Sequence, residues 1–454
     1  MKSSLWQLII CAILYTVISW VLLFRQEETL IVVGQFYPAW AESLPLIRSW
    51  LLHHGLNSIV TIFLFLIFGV IFFSYLKLLR QKLSTKKVII LAIFLQVIVF
   101  FSYPVLSTDI FDYILTNRLA LVHGQNIWQI APSSYPNDLF YHLANWQNQT
   151  SPYGVVNQAF YALAGQFATN DLLQSVFVYK LLILIFSLAT LILLKKILER
   201  IVPDKVSWGI LLVFANPLFV IETAGSAHNI IITIFFMLLS FSFFVKKNFF
   251  FAGIVSALAI HTKFAPIFLT VFMFIYMLKE RNFKSIVTFS IPFVVLNLVF
   301  FGIIGSGTIS YLINILVGKP IYWQSLPQLV HKIYPQENLL FLGIFVLIFL
   351  GQMIRVLFRK LDPITGFVET MAAYLLFFTN FYLNWYVLWI LIFVPIIAWG
   401  RLSKTIILFS ATSLLSYPLY MSSLRFSHEN PIWTIIIYIF ISAVPAVYYL
   451  ISYD

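Results

Sequence analysis

Two carboxylates three residues apart, Asp109 and Asp112, stand in STDIFDYILTNRLALVHG (residues 107–124), directly after a long apolar run. Charge beside lipid is costly, so acids kept there are functional candidates. A carboxylate so placed can act as a general base, taking a proton from a hydroxyl nucleophile. The structural alternative is a helix cap, with Asp109 accepting backbone N–H bonds at the positive end of the helix dipole. Asp112, one turn on, is either a ligand for hydroxyl groups or a solvated interfacial charge.

The element that must position these acids reads as a helix. Asp109, Asp112, Tyr113, Thr116 and His123 recur at spacings of three and four, with Ile110, Phe111, Ile114, Leu115, Leu119 and Val122 mostly opposite. That pattern predicts a helix lying in the membrane interface. Ser107 or Thr108 can start it by accepting a backbone N–H bond, and Gly124 can end it in a left-handed cap.

The class of the whole chain follows from composition. With 454 residues, 61% hydrophobic, 10% charged and a mean hydropathy of +0.95, it is an all-α polytopic membrane protein. Cys11 is the one cysteine and lies in the first apolar run, so there is no intrachain disulfide and no cysteine metal site. Residues 5–24 are long enough to span and lack a small-residue cleavage site, so they read as a first span. Fourteen apolar stretches follow the length rule of about 20 residues: 5–24, 57–76, 87–106, 172–194, 206–222, 228–244, 249–262, 264–278, 285–304, 339–357, 365–380, 385–399, 405–420 and 433–452. The expectation is about 12 to 14 transmembrane helices in a single domain over 1–454, the shortest of them broken, re-entrant or buried in protein.

Lys and Arg test that reading. Twenty of the 28 basic residues, including Lys77, Arg80, Lys82, Lys86, Lys87, Lys195, Lys196, Lys279, Arg355 and Arg401, fall on one side of the predicted spans. Both chain ends are therefore assigned to the cytoplasm of a multi-pass cell membrane protein, and the net charge of +12 marks topology, with no nucleic acid implied. The outer loops are 25–56, 107–171, 305–338 and 421–432, and they hold most of the polar and proline-rich sequence. Loop 107–171 carries the interfacial helix and reads as ordered, while 305–338 is either a lid or a passive connection. An enzyme working on that face has no cytoplasmic nucleotide sugar or ATP, so its donor must itself reside in the membrane. A polyprenyl-phosphate sugar meets that requirement.

Four stretches carry a family resemblance. STDIFDY (107–113), WQNQTSPYG (146–154), NPLFVIETAGSAHN (216–229) and NWYVLW (384–389) resemble, in order and spacing, motifs of the polyprenyl-phosphomannose-dependent mannosyltransferases. These are the MptA/MptB-like branch of the GT-C glycosyltransferases. Two departures stand out: Ile230 follows His228-Asn229 where the family has Asp, and Val155 follows Tyr-Gly where Pro is usual. The resemblance implies transfer of a sugar, with mannose the first expectation, from a polyprenyl-phosphate donor to a lipid-linked or glycan acceptor, with inversion. Asp109 would be the catalytic base, and Asp112, Tyr113, Tyr153, Glu222, His228, Trp385 and Tyr386 substrate ligands.

The leaving group of such a reaction is a lipid phosphate, which calls for fixed positive charge. Lys263, between two short spans, is the first candidate for it, and otherwise a snorkelling lysine; Arg425 and Lys180 come next. Lys180 lies inside a span and is expected to have an acidic partner or a phosphate. Glu222 holds a sugar hydroxyl or pairs with a basic residue. The aromatic residues Tyr322 and Trp323, with Trp385, Tyr386 and Trp389, are either sugar-stacking faces or an interfacial aromatic belt. No two of His123, His228 and His261 have helical ligand spacing, so neither a metal nor a cofactor is expected. Two other functions share this topology: a transporter or flippase for lipid-linked glycans, which would show repeats and midplane charges, and a polysaccharide polymerase or ligase, which would need more outer arginines.

Overall fold

A computed structural model describes residues 2–23, 33–38, 43–53, 56–168, 170–305, 324–331, 333–334, 337–359, 361–423, 436–437 and 439–452. Among them the architecture is all-helical, with no β-sheet. Five helices are long and apolar enough to cross a membrane: Ser3–Leu22, Ile59–Leu79, Leu172–Ile201, Phe283–Ile304 and Leu339–Phe358. Five further apolar helices are shorter, among them Ile230–Val245, Phe249–Ile260 and Pro266–Lys279.

The helices that matter for the site are α1 (Lys2–Leu22), α2 (Thr85–Phe100), α3 (Asp109–Leu121), α4 (Val155–Gly165), α5 (Leu172–Ile201), α6 (Val206–Phe214) and α7 (Pro217–Val220). After these come α8 (Ile230–Val245), α9 (Phe249–Ile260), α10 (Pro266–Lys279), α11 (Phe283–Ile304) and α12 (Arg401–Ser423). In lipid the apolar effect does not drive helices together, so close packing and interhelical hydrogen bonds must. Helix α8 is buried along nearly its whole length, and α9 packs between it and α11. Gly253 makes the α9–α11 approach possible, since a Cβ there would sit 2.2 Å from the Phe289 carbonyl oxygen. By contrast α11 turns most of its surface outward, as a lipid-facing helix does.

The stretch 206–222, expected as one span, is broken. Asn216 accepts hydrogen bonds from the backbone N–H groups of Leu218 and Phe219, and Pro217 takes the first helical position, so the chain stops and restarts with a 58° bend. The restarted helix passes into a π-helical turn, Ile221–Gly225, and then a turn in which Ala227 has φ 57°. Single π turns of this kind recur at functional positions because the extra residue re-aims side chains.

Lys180 explains how that turn is held, and it corrects the expectation of an acidic partner. From α5 its ammonium donates to the carbonyl oxygens of Ser102 and of Gly225, the latter at 2.9 Å, and no carboxylate pairs with it among the described residues. Backbone carbonyls freed where α2 ends and where the π turn ends satisfy the charge in place of an acid. Lys279 and the backbone of Arg359 meet at the end of the bundle away from that turn. At that end Lys279 donates to the Arg359 carbonyl and Ser207 to the Leu83 carbonyl, while the acids and motifs of the site lie at the other ends of the same helices.

Candidate active site

Helix α3 forms where expected, from Asp109 to Leu121. The Ser107 hydroxyl accepts from the Asp109 N–H at 3.3 Å, and Gly124 adopts φ 64°, the left-handed stop. Its surroundings differ from a wet interfacial helix. Ile110 to Leu115, Asn117 and Leu119 are all buried, because α4 and α5 pack on it and the loop of residues 125–154 folds against it. That loop holds two short 3-10 turns, Pro132–Ser134 and Tyr141–Leu143. Asp138 fastens it: Arg118 donates to both of its oxygens at 3.0 Å, and the His123 ring nitrogen stands 2.9 Å away. Burial pushes the Asp138 carboxyl up, yet Arg118, the Phe140 N–H and His123 together hold it below its ordinary value.

Asp112 is consequently no solvated charge. It is 9% exposed, one oxygen accepts the Trp146 N–H at 2.8 Å, and the other has no hydrogen-bond partner among the described residues. Burial, reinforced by the charge of Asp109, pushes its carboxyl up to about 8 against the opposing backbone N–H groups of Trp146 and Asn145. Asp109 keeps 15% of its side chain exposed and faces a buried polar chain. Tyr113, one turn along α3, donates to Asp109 Oδ2 at 3.3 Å and lies 3.5 Å from His228 Nδ1. His228 Nδ1 is itself 3.6 Å from Asp109 Oδ2, and His228 Nε2 is 3.2 Å from Glu222 Oε2. That last approach is off the line of a hydrogen bond, so both atoms lack an aligned partner among the described residues. Glu222 and His228 have no exposed side-chain surface. Glu222 projects from the π turn, and its second oxygen accepts the Tyr417 hydroxyl of α12 at 2.7 Å.

A second group surrounds Lys263, in the turn between α9 and α10. Its ammonium lies over the rings of Tyr386 at 4.8 Å, Trp389 at 5.6 Å and Tyr153 at 5.7 Å. Three rings stabilise a cation by their quadrupoles without neutralising it. No carboxylate pairs with Lys263 among the described residues, although burial pulls its ammonium down to about 8 and the charge of Asp109 works against that shift. Gly154 brings the two halves together. A Cβ at Gly154 would meet the His261 carbonyl oxygen at 2.4 Å, and the N–H groups of Val156 and Asn157 both donate to that oxygen. The segment carrying Tyr153 is thereby laid directly on the backbone two residues before Lys263.

A family model for the alpha-(1->6)-mannopyranosyltransferase N-terminal domain matches residues 10–279, more than half of the 454 residues. The chain belongs to this MptA/B family of mannosyltransferases. No curated protein matches it. The MptA/B match contains Asp109, Asp112, Tyr113, Tyr153, Glu222, His228 and Lys263, and the structure gathers six of these around Asp109 and Lys263, with Asp112 one turn away.

Trp385 and Tyr386 lie beyond the matched MptA/B residues and still reach the site. Trp385 stacks on His228, ring centroids 3.5 Å apart and planes at 21°, so one of its faces is covered by the imidazole. Tyr386 stacks on Trp389 at 4.4 Å beside Lys263. Arg425, Tyr322 and Trp323 fall outside the described residues, as does most of loop 305–338. Tyr417 is a site residue that the sequence motifs miss. The available signal is a stripe of small polar residues in an apolar helix: Ser410 bonds Asn216, Ser413 bonds Tyr382, Ser416 bonds Asn384, and Tyr417 completes it on Glu222.

Proposed function

We propose that this MptA/B-family mannosyltransferase transfers mannose, with inversion, from a polyprenyl-phosphate donor to a glycan or lipid-linked acceptor on the outer face of the cell membrane. The observation that carries the reading is the pairing of a partly exposed carboxylate, Asp109, with a ring-caged lysine, Lys263, that feels its charge and has no acidic partner among the described residues. In this reading Asp109 takes the proton of the acceptor hydroxyl as that oxygen attacks the anomeric carbon. Lys263 receives the lipid phosphate as it departs, and the rings that cage it leave its charge available for that anion. Tyr153 and Tyr386 border the donor, Asp112 offers its free oxygen to acceptor hydroxyls, and Arg425 is assigned to the same outer surface. Helix ends bearing basic residues lie opposite the site, which supports cytoplasmic chain ends and an extracytoplasmic reaction.

The test is Asp109→Asn in the purified full chain, supplied with a panel of polyprenyl-phosphate hexoses and pentoses. Asn caps a helix about as well as Asp, so folding and donor binding persist. Turnover falls by about 10²–10⁴-fold, the usual cost of losing a general base. An Asn variant with near-normal turnover would reduce Asp109 to a cap. Wild-type protein that consumes none of these donors yet moves lipid-linked glycans across vesicles would make it a transporter.

A further inference from the structure

We propose that Tyr113, His228 and Glu222 form a proton relay behind Asp109, so that the proton taken from the acceptor is held on His228 during glycosyl transfer. The inference rests on Asp109 as the base and concerns where its proton goes. The geometry places one hydroxyl, that of Tyr113, between Asp109 Oδ2 at 3.3 Å and His228 Nδ1 at 3.5 Å. The imidazole is wholly buried, with a carboxylate at each nitrogen: Asp109 on the Nδ1 side and Glu222, wholly buried too, on the Nε2 side. Glu222, buried and facing the ring from its Nε2 side, is placed to stabilise the imidazolium that forms once a proton reaches Nδ1. Tyr417 occupies the other oxygen of Glu222, so the free oxygen is the one turned to His228. Trp385 lies flat on the ring at 3.5 Å and fixes its plane, with Asp109 on its Nδ1 side and Glu222 on its Nε2 side.

The steps balance. The acceptor O–H bond breaks, its proton goes to Asp109, its oxygen bonds the anomeric carbon, and the bond from that carbon to the phosphate oxygen breaks with the electron pair leaving on the phosphate. Asp109 passes its proton to the Tyr113 oxygen as the Tyr113 proton moves to His228 Nδ1, which restores the Asp109 carboxylate and leaves an imidazolium against Glu222. When products leave, the proton returns along the same path to the exposed edge of Asp109 and out to water. His228 thus acts through Asp109 and is a positioning and proton-holding residue.

The titratable groups facing His228 are Asp109 and Tyr113 from α3 and Glu222 from the π turn. Behind Glu222 stand Tyr417 of α12, Tyr15 of α1 and Tyr382. The experiment measures kcat against pH for the full chain in nanodiscs, with polyprenyl-phosphate mannose and an alkyl mannoside acceptor, for wild type, His228→Gln, Glu222→Gln and Asp109→Asn. With the relay, His228 must be neutral to receive the proton, so the acid limb of the wild-type profile depends on His228. In His228→Gln it moves down by about two pH units toward that of a lone carboxylate. Glu222→Gln, which keeps the shape of the buried site, moves the limb in the same direction with donor binding retained. A lower plateau with an unmoved limb in both variants overturns the relay and leaves Asp109 as a base that exchanges its proton directly with water. Retained turnover in Asp109→Asn overturns the base assignment itself, and the relay with it.

Discussion

Gly154→Ala probes how the segment carrying Tyr153 is fitted to Lys263. A Cβ at residue 154 would lie 2.4 Å from the His261 oxygen and 2.7 Å from its carbonyl carbon and Cα. All three are backbone atoms fixed between α9 and the following turn, so they cannot swing aside as a side-chain tip would. To reach ordinary contact the two segments must separate by about 1 Å. That movement lengthens the Val156 and Asn157 N–H bonds to the same oxygen, now 3.1 and 3.4 Å. Overpacking of this kind costs about 1–3 kcal/mol, and weakening two backbone hydrogen bonds adds about 1–2 kcal/mol. Tyr153 also draws away from Lys263, and a misplacement of about 1 Å at a reacting site costs on the order of 10²-fold in rate. The assays are thermal unfolding in detergent and mannosyl-transfer kinetics with separate donor and acceptor titrations. The expected result is lower stability and a larger loss in kcat/KM for donor than for acceptor. A variant with wild-type stability and kinetics would refute the close approach and the coupling of Tyr153 to Lys263.

Two other outcomes follow from the same geometry. Lys263→Ala raises the donor KM by about 10- to 100-fold, the value of a charge-assisted contact of about 1.5–3 kcal/mol, with the acceptor KM changing little; unchanged donor dependence would move the phosphate elsewhere, with Arg425 next in line. Asp112 has a carboxyl raised to about 8 in the folded chain against an ordinary value near 4, so the folded state binds the extra proton and stability falls as pH rises from about 4 to about 8. Asp112→Asn keeps an oxygen for the Trp146 N–H and removes the titration, so its unfolding temperature stays level between pH 5 and 8 where that of wild type declines. A wild-type profile as flat as the variant's would show Asp112 already ionised in the fold.

Much of this was legible in the sequence because it depends on local properties. A mean hydropathy of +0.95 and apolar runs of span length fix an all-helical membrane protein, since backbone groups in lipid must be satisfied within helices. The spacing of Asp109 and Tyr113, four apart, places them on one helix face whatever packs around them, and the structure shows that contact. The order and spacing of four short motifs carried the resemblance, and the match over residues 10–279 makes it membership.

What the sequence could not supply is which helix ends meet. Glu222 and Tyr417 are 195 residues apart, and the serine stripe beside Tyr417 marks a polar helix face without saying which group that face meets. Lys180 is expected to need an acid because charge in a span is costly, but its cost is met by carbonyls freed where α2 stops and the π turn ends. The solvated side expected of α3 is lost for a similar reason: the loop of residues 125–154 returns over it and closes Asp112 from water. Periodicity reports which face of an element is apolar. Whether its polar face meets water, backbone carbonyls or another acid is settled only when segments far apart in the chain are packed, because burial and counter-charge belong to the assembled neighbourhood and not to the residue.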